Sequence, residues 1–180
     1  RGLGDVYKRQ GYYLKKYCQT AVDLRAGTAS KTYHSWITFR FGEFYLNYAY
    51  AVYKYLGSPY ATDSEFTTSA VDAIKVVRTR AGMPGFPQGM TNDAFWKKYQ
   101  NERMVELAFE GHRFWDVRRW KEGDKHFKNI VEMKITKNGD DIYTYERKVK
   151  ERSWDDKMYF FPIPQSEKSK NPNLEQNPGW

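Results

Sequence analysis

The stretch FRFGEFYLNYAYAVYKYLGSP, Phe39–Pro59, decides the fold. Read together with the residues just before it, it carries apolar side chains at Ile37, Phe41, Phe44, Tyr48, Val52 and Tyr55. Their spacing of three to four residues puts them on one face of a helix and predicts a helical stretch from Ser35. Arg40, Glu43 and Asn47 fall on another side, with Arg40 and Glu43 spaced to pair. Gly57 and Pro59 end the helix, because glycine accepts the left-handed cap and proline cannot continue the turn.

Working outward, Thr62, Asp63 and Ser64 offer N-caps for a second helix that runs to about Arg80. Phe66, Ala70, Ala73, Ile74 and Val77 form its inner face, and Gly82 and Pro84 stop it. A short connection packs two such helices as an antiparallel hairpin. The hairpin has the size of a tetratricopeptide-type unit, a class that needs several stacked copies for stability. Beyond the Pro/Gly loop MPGFPQGM (83–90), Thr91 caps a long helix expected over Asp93–Lys121. Its inner stripe is Met104, Leu107, Ala108, Gly111, Phe114 and Trp115. Gly111 costs about 1 kcal/mol of helix propensity against alanine, which predicts a closely approaching backbone there. Residues 122–158 are irregular, with Asn138-Gly139 as a hairpin-turn signal between segments around Ile135 and Ile142–Tyr145. From Tyr159 the Pro-rich tail should be extended and docked on the helices. Upstream, residues 11–19 suit a short strand or extended segment and 20–34 a loop. The fold class is mainly α, with helical hairpins, irregular loops and an extended tail.

Composition narrows the function classes. With 40% hydrophobic and 29% charged residues, the 180-residue chain belongs to the globular class. Its net charge of +8 is dispersed, with no run of five basic residues, and this argues against nucleic acid as a partner. The single cysteine, Cys18, excludes an internal disulfide and a cysteine-rich zinc site. No cofactor is called for, and no apolar run approaches the roughly 18 residues of a membrane span. Residues 1–10, RGLGDVYKRQ, lack an initiator Met and read as a non-native leader; without Arg1, Asp5, Lys8 and Arg9 the charge is +6.

The densest polar cluster is Glu102, Arg103, Glu106, Glu110, His112, Arg113 and Asp116. Glycosidic hydrolysis needs two carboxyls facing each other across the bond. Glu106 and Glu110 lie on the same side of one helix, and no opposing carboxyl is identifiable. A helical zinc site needs two histidines at i,i+4, and this helix has one. The cluster therefore reads as structural, with Arg103–Glu106 and Glu110–Arg113 as i,i+3 pairs, His112 and Asp116 within reach of each other, and Arg113 helping to anchor the tail. Ligand contacts are expected of Tyr33, Trp36, Tyr60 and Trp154, whose flat rings can stack on a sugar face; the competing role for each is core packing.

Two segments carry a family resemblance: NERMVELAFEGHRFWDVRRW (Asn101–Trp120), and the tail Phe161–Trp180 with Pro162-Ile163-Pro164, Asn171-Pro172 and Gln176-Asn177-Pro178-Gly179. GYYLKKY (Gly11–Tyr17) and FRFGEFYLNYAYA (Phe39–Ala51) match in the same order. The chain resembles the C-terminal region of the SusD/RagB family of outer-membrane nutrient-binding lipoproteins. The resemblance implies that residues 11–180 are the C-terminal part of a longer domain. It implies a tetratricopeptide-like fold and non-catalytic capture of glycans at the cell surface. It further implies delivery to a SusC-type TonB-dependent transporter, and a lipid anchor in an N-terminal portion missing from this chain. Cys18 does not stand in that anchor's context. The alternative is a protein-interaction module without a small ligand.

Overall fold

A computed structural model describes residues 14–19, 22, 33, 35–140 and 142–180. The proposed leader, residues 1–10, lies outside them, as does most of the 20–34 loop. The described residues form two compact units, one within Lys31–Arg113 and one comprising Phe114–Trp180 with the described N-terminal residues.

The first unit is built on helices α1 (Phe41–Leu56), α2 (Ala70–Arg80) and α3 (Asn92–Glu106). Helix α1 starts later than Ser35: residues 35–40 are not helical, and Arg40 is its extended N-cap. It ends where expected, with Gly57 left-handed (φ 71°) and its N–H donating to the Tyr53 carbonyl. The buried face is a correction. Glu43, Leu46, Ala49 and Val52 point inward, while Phe41, Phe44 and Tyr55 of the expected stripe are exposed. Helix α1 has more apolar side chains than one face can hold, so the three-to-four spacing fits two stripes. The small side chain of Ala49 sits on the stripe that packs, matched by buried Ala70 and Ala73 of α2.

Helix α2 also begins later than its expected caps. Asp63 instead closes a turn, its carboxylate accepting from the N–H groups of Glu65 and Phe66 at 2.9 and 2.6 Å. The connection therefore runs from Gly57 to Ser69 and is not short. The cap is Ser69, whose Oγ accepts from Asp72 N at 3.1 Å and donates to the Asp72 carboxylate at 2.6 Å. Ala70, Val71, Ala73, Ile74 and Val77 are buried, so the inner face stands as expected apart from half-buried Phe66, which precedes the helix. Ser69→Ala should cost about 1 kcal/mol. Chemical denaturation of the variant measures this, with Ser69→Asp retaining most of the stability.

Thr91 caps α3 as expected, its Oγ1 accepting from Ala94 N at 3.2 Å. Phe95 and Tyr99 are fully buried against the Tyr50/Tyr53 side of α1, and the Tyr99 hydroxyl donates to the Leu46 carbonyl at 3.0 Å. The long helix expected over Asp93–Lys121 is broken. Helix α3 stops at Glu106, a turn spans Leu107–Gly111, and α4 (His112–Arg119) resumes. Phe109 (φ 63°) and Gly111 (φ 83°) are both left-handed there. A side chain at Gly111 would meet nothing within 4 Å, so this glycine serves backbone conformation and not the expected close approach. Of the expected inner stripe Leu107 is buried, whereas Met104 and Trp115 face outward.

The second unit contains most of α4, helix α5 (Gly123–Phe127), strands β1 (Asn129–Lys137) and β2 (Tyr143–Glu151), a 3-10 turn (Asp156–Tyr159) and helix α6 (Gln165–Lys170). β1 and β2 pair antiparallel, Val131 opposite Val149 and Ile135 opposite Tyr145, with Asn138-Gly139 at the turn as expected. A close approach to a glycine is found here instead. An indole carbon of Trp154 sits 1.9 Å from where a Cβ on Gly123 would stand, and Gly123 N donates to the Tyr159 hydroxyl at 3.0 Å. Around this contact gather Phe114, Phe127, Trp154, Tyr159 and Phe161, with the Arg118 guanidinium 3.5 Å from the Phe114 ring centroid. Burial holds the Arg118 pKa below its ordinary value.

The tail differs from the expected extended segment, since α6 is helical. Phe161 docks on a helix as expected, its ring against Phe114 and Trp115 of α4, while the remainder closes on the 3-10 turn and the segment after it. The Gln176 amide exchanges two hydrogen bonds with the Ile163 backbone (2.8 and 3.0 Å). Asn177 Nδ2 donates to the Phe161 carbonyl at 2.6 Å, and Trp180 Nε1 to the Lys157 carbonyl at 3.0 Å. These contacts account for Gln176, Asn177 and Trp180 in QNPGW.

Candidate functional site: an arginine clasp beside an aromatic face

Two features stand out in the Lys31–Arg113 unit. The first is a clasp at Arg40. Its Nε donates to both carboxylate oxygens of Glu110 at 3.0 and 2.8 Å, and its terminal nitrogens reach the carboxylate and main-chain carbonyl of Glu106. Glu106 also pairs with Arg80 at 2.7 Å. The Glu110 side chain is only 4% exposed, and the Glu110 hydrogen bond is the main cause that raises the Arg40 pKa above its ordinary value, overcoming the opposing effect of burial. A Cβ on Gly42 would lie 2.8 Å from an Arg40 nitrogen and 2.9 Å from a Glu106 oxygen, so the glycine leaves room for the clasp.

These contacts revise the expected pairing of Arg40 with Glu43. Arg40 turns away from Glu43 to a distant helix, and Glu43 lies 3.6 Å from His112. His112 thus faces Glu43, while Asp116, buried, accepts from Arg119 at 2.8 Å. Buried Arg103 donates to Asn47 at 2.7 Å, Glu102 takes Arg78, and Arg113 is half-buried on α4. The motif ELAFEGH (Glu106–His112) is therefore the complement of FRFGE (Phe39–Glu43), which the i,i+3 and i,i+4 rules for single helices cannot show. Chemically, the Glu106 and Glu110 carboxylates both bond the Arg40 guanidinium, and Glu106 also bonds Arg80. Among the described residues no three His, Cys, Asp or Glu are gathered to hold a metal ion.

The second feature is the outward stripe of α1. Phe41, Phe44, Tyr45 and Tyr48 line a groove of about 350 Å³ with Thr68 and Ala73. Just before the helix, Phe39 and Trp36 are 71% and 73% exposed, and Tyr33 is 99% exposed. The expected ligand residues Tyr33 and Trp36 thus stand open to solvent near one another in sequence. Tyr60 is half-buried, its hydroxyl donating to the Pro87 carbonyl and accepting from Met90 N, both at 2.9 Å. Trp154 belongs to the second unit, packed on Gly123. The sequence pattern places Phe41 and Phe44 on the inner face, and the structure exposes both. The available signal was that Leu46 and Ala49 lie at helical spacing from Val52 and continue its row on a different face from Phe41 and Phe44.

Paired helices, clasped at one end and faced with aromatic rings, define a mainly helical protein of tetratricopeptide-like character. The chain belongs to the SusD family, whose profile matches residues 5–180. It is similar to the solved structure of BT4246, at 35% identity and a TM-score of 0.68 over 86% of this chain. It is also similar to a SusD-like protein (BF3747) from Bacteroides fragilis NCTC 9343, at 32% identity and a TM-score of 0.64 over 81% of this chain. It spans 25% and 26% of the lengths of those two chains. No curated protein matches it.

Proposed function

We propose that this chain is part of a cell-surface protein that captures oligo- or polysaccharides without cleaving them and passes them to a SusC-type TonB-dependent transporter in the outer membrane. A lipid anchor on the portion preceding these residues would hold it there. Membership of the SusD family supports nutrient binding. The observation that carries a glycan ligand is the solvent-open pair Tyr33 and Trp36 beside a helix fixed by the Arg40 clasp. A flat ring presents an apolar face to the C–H face of a sugar while its polar tip stays hydrated. A rigid element behind it lowers the ordering cost of binding. Tyr60 and Trp154 are proposed as further contacts.

Affinity electrophoresis through polysaccharide gels tests this. Trp36→Ala and Tyr33→Ala should each cut retention severalfold with melting temperature unchanged, and retention indifferent to both would remove these rings from the site. One observation favours a second reading, a protein-interaction module: the α1 groove is lined largely by phenylalanine and tyrosine rings and suits an apolar peptide side chain.

A further inference from the structure

The hairpin joining β1 and β2 carries a reactive pair that the binding role does not use. Asn138 and Gly139 are exposed at its tip, and Asp140 beside them is exposed as well. Asn138 is held on two sides: its N–H donates to the Ile142 carbonyl at 2.8 Å, and its Nδ2 donates to Thr144 Oγ1 at 3.0 Å. The Gly139 N–H makes no hydrogen bond among the described residues. A Cβ on Gly139 would meet nothing within 4 Å, so the space around this peptide bond is open to water. Every β2 residue is exposed, so little packing resists a change of shape at the tip.

We propose that Asn138-Gly139 is a site of spontaneous deamidation, with the Thr144 hydroxyl as the brake that slows it. Asparagine amides are among the thermolabile groups of proteins. The deprotonated Gly139 nitrogen attacks the Asn138 side-chain carbonyl carbon, forming the N–C bond of a succinimide. The Cγ–Nδ2 bond then breaks, and nitrogen leaves as ammonia carrying the proton lost from Gly139. Water adds to one of the two ring carbonyls, giving aspartate or isoaspartate. Glycine favours ring closure because it has no side chain to obstruct the approach. The hydrogen bond from Nδ2 to Thr144 opposes closure by holding the carboxamide toward β2. Aspartate places a second negative charge beside Asp140. Isoaspartate adds a methylene to the backbone and displaces the chain from the Ile142 closure.

The test is to incubate the 180-residue chain in mildly alkaline buffer and follow it by peptide mapping with mass spectrometry. The peptide containing Asn138 should convert to the acid form, in both isomers, severalfold faster than those containing the exposed Asn129 and Asn173, and faster still at higher pH. Thr144→Val should accelerate the conversion severalfold, and Asn138→Gln should suppress it. An Asn138 amide as durable as that of Asn129 or Asn173 would overturn the site. A Thr144→Val rate equal to or below the parent rate would overturn the brake.

Discussion

Replacing Arg40 by alanine is expected to cost about 3–5 kcal/mol, because the substitution removes the guanidinium that two largely buried carboxylate groups share. Glu110 would lose both of its Arg40 hydrogen bonds, and Glu106 would keep only the more exposed Arg80. Domains of this size are stable by about 5–15 kcal/mol, so a loss of this kind removes a large share of the total. The ion pair itself need not supply that energy, since forming it costs the desolvation of three charges. The penalty arises from breaking one side alone. The double variant Arg40→Met with Glu110→Gln should therefore be more stable than Arg40→Ala. Arg40→Lys should fall between parent and alanine variant, since an ammonium cannot match the forked donor geometry that meets both Glu110 oxygens. Urea denaturation of the four chains measures the series. An Arg40→Ala loss under about 1 kcal/mol, the range of surface pairs, would mean that the clasp does not hold α1 to the end of α3.

The second large effect is expected at Gly123. A methyl there would meet the Trp154 indole at 1.9 Å, well inside any tolerable contact. The indole cannot retreat easily, because it packs on Phe127 and Tyr159 with ring centroids 5.3 and 5.1 Å away. Gly123→Ala should therefore destabilise the second unit by at least the roughly 1–3 kcal/mol typical of overpacking. Tyr159 would lose its bond from Gly123 N as the segment shifts. Tryptophan fluorescence during thermal unfolding reports it, with a lowered midpoint expected. The double variant Gly123→Ala with Trp154→Ala removes the clash, so it should not add the two single losses. Full additivity would show that the contact is not the cause.

The sequence and the fold part company at specific residues, and each difference has a physical origin. Helix existence was legible wherever one stripe dominated, as in α2, where Ala70, Ala73, Ile74 and Val77 alternate with charged residues. On α1, two apolar stripes fit the helical period equally well, and only the close packing of α2 decides between them. The break at Leu107–Gly111 was hidden because Glu110 reads as a helix former. It is held in a turn by Arg40, a partner far away in sequence. The same long-range contact explains why Arg40, spaced to pair with Glu43, pairs with Glu106 and Glu110 instead. The propensity cost of glycine signalled a close approach at Gly111, whereas the glycines that side chains crowd include Gly42 and Gly123, the latter next to an indole that the sequence separates from it. The cap at Thr91 was legible, whereas that of α2 was not, since Ser69 holds the position expected of Thr62, Asp63 or Ser64. Asp63 offers the same chemistry to a turn. Of the ring platforms, Tyr33 and Trp36 stand in solvent, and Tyr60 spends its hydroxyl on the Pro87–Met90 loop.

The most direct test of the central proposal is to pass the protein through gels containing single polysaccharides and assay the same mixtures for new reducing ends over time. Retention by at least one polysaccharide, weakened by Trp36→Ala and with no reducing ends released, is the predicted result. No retention by any of them would contradict glycan capture, and the release of reducing ends would contradict a purely binding role.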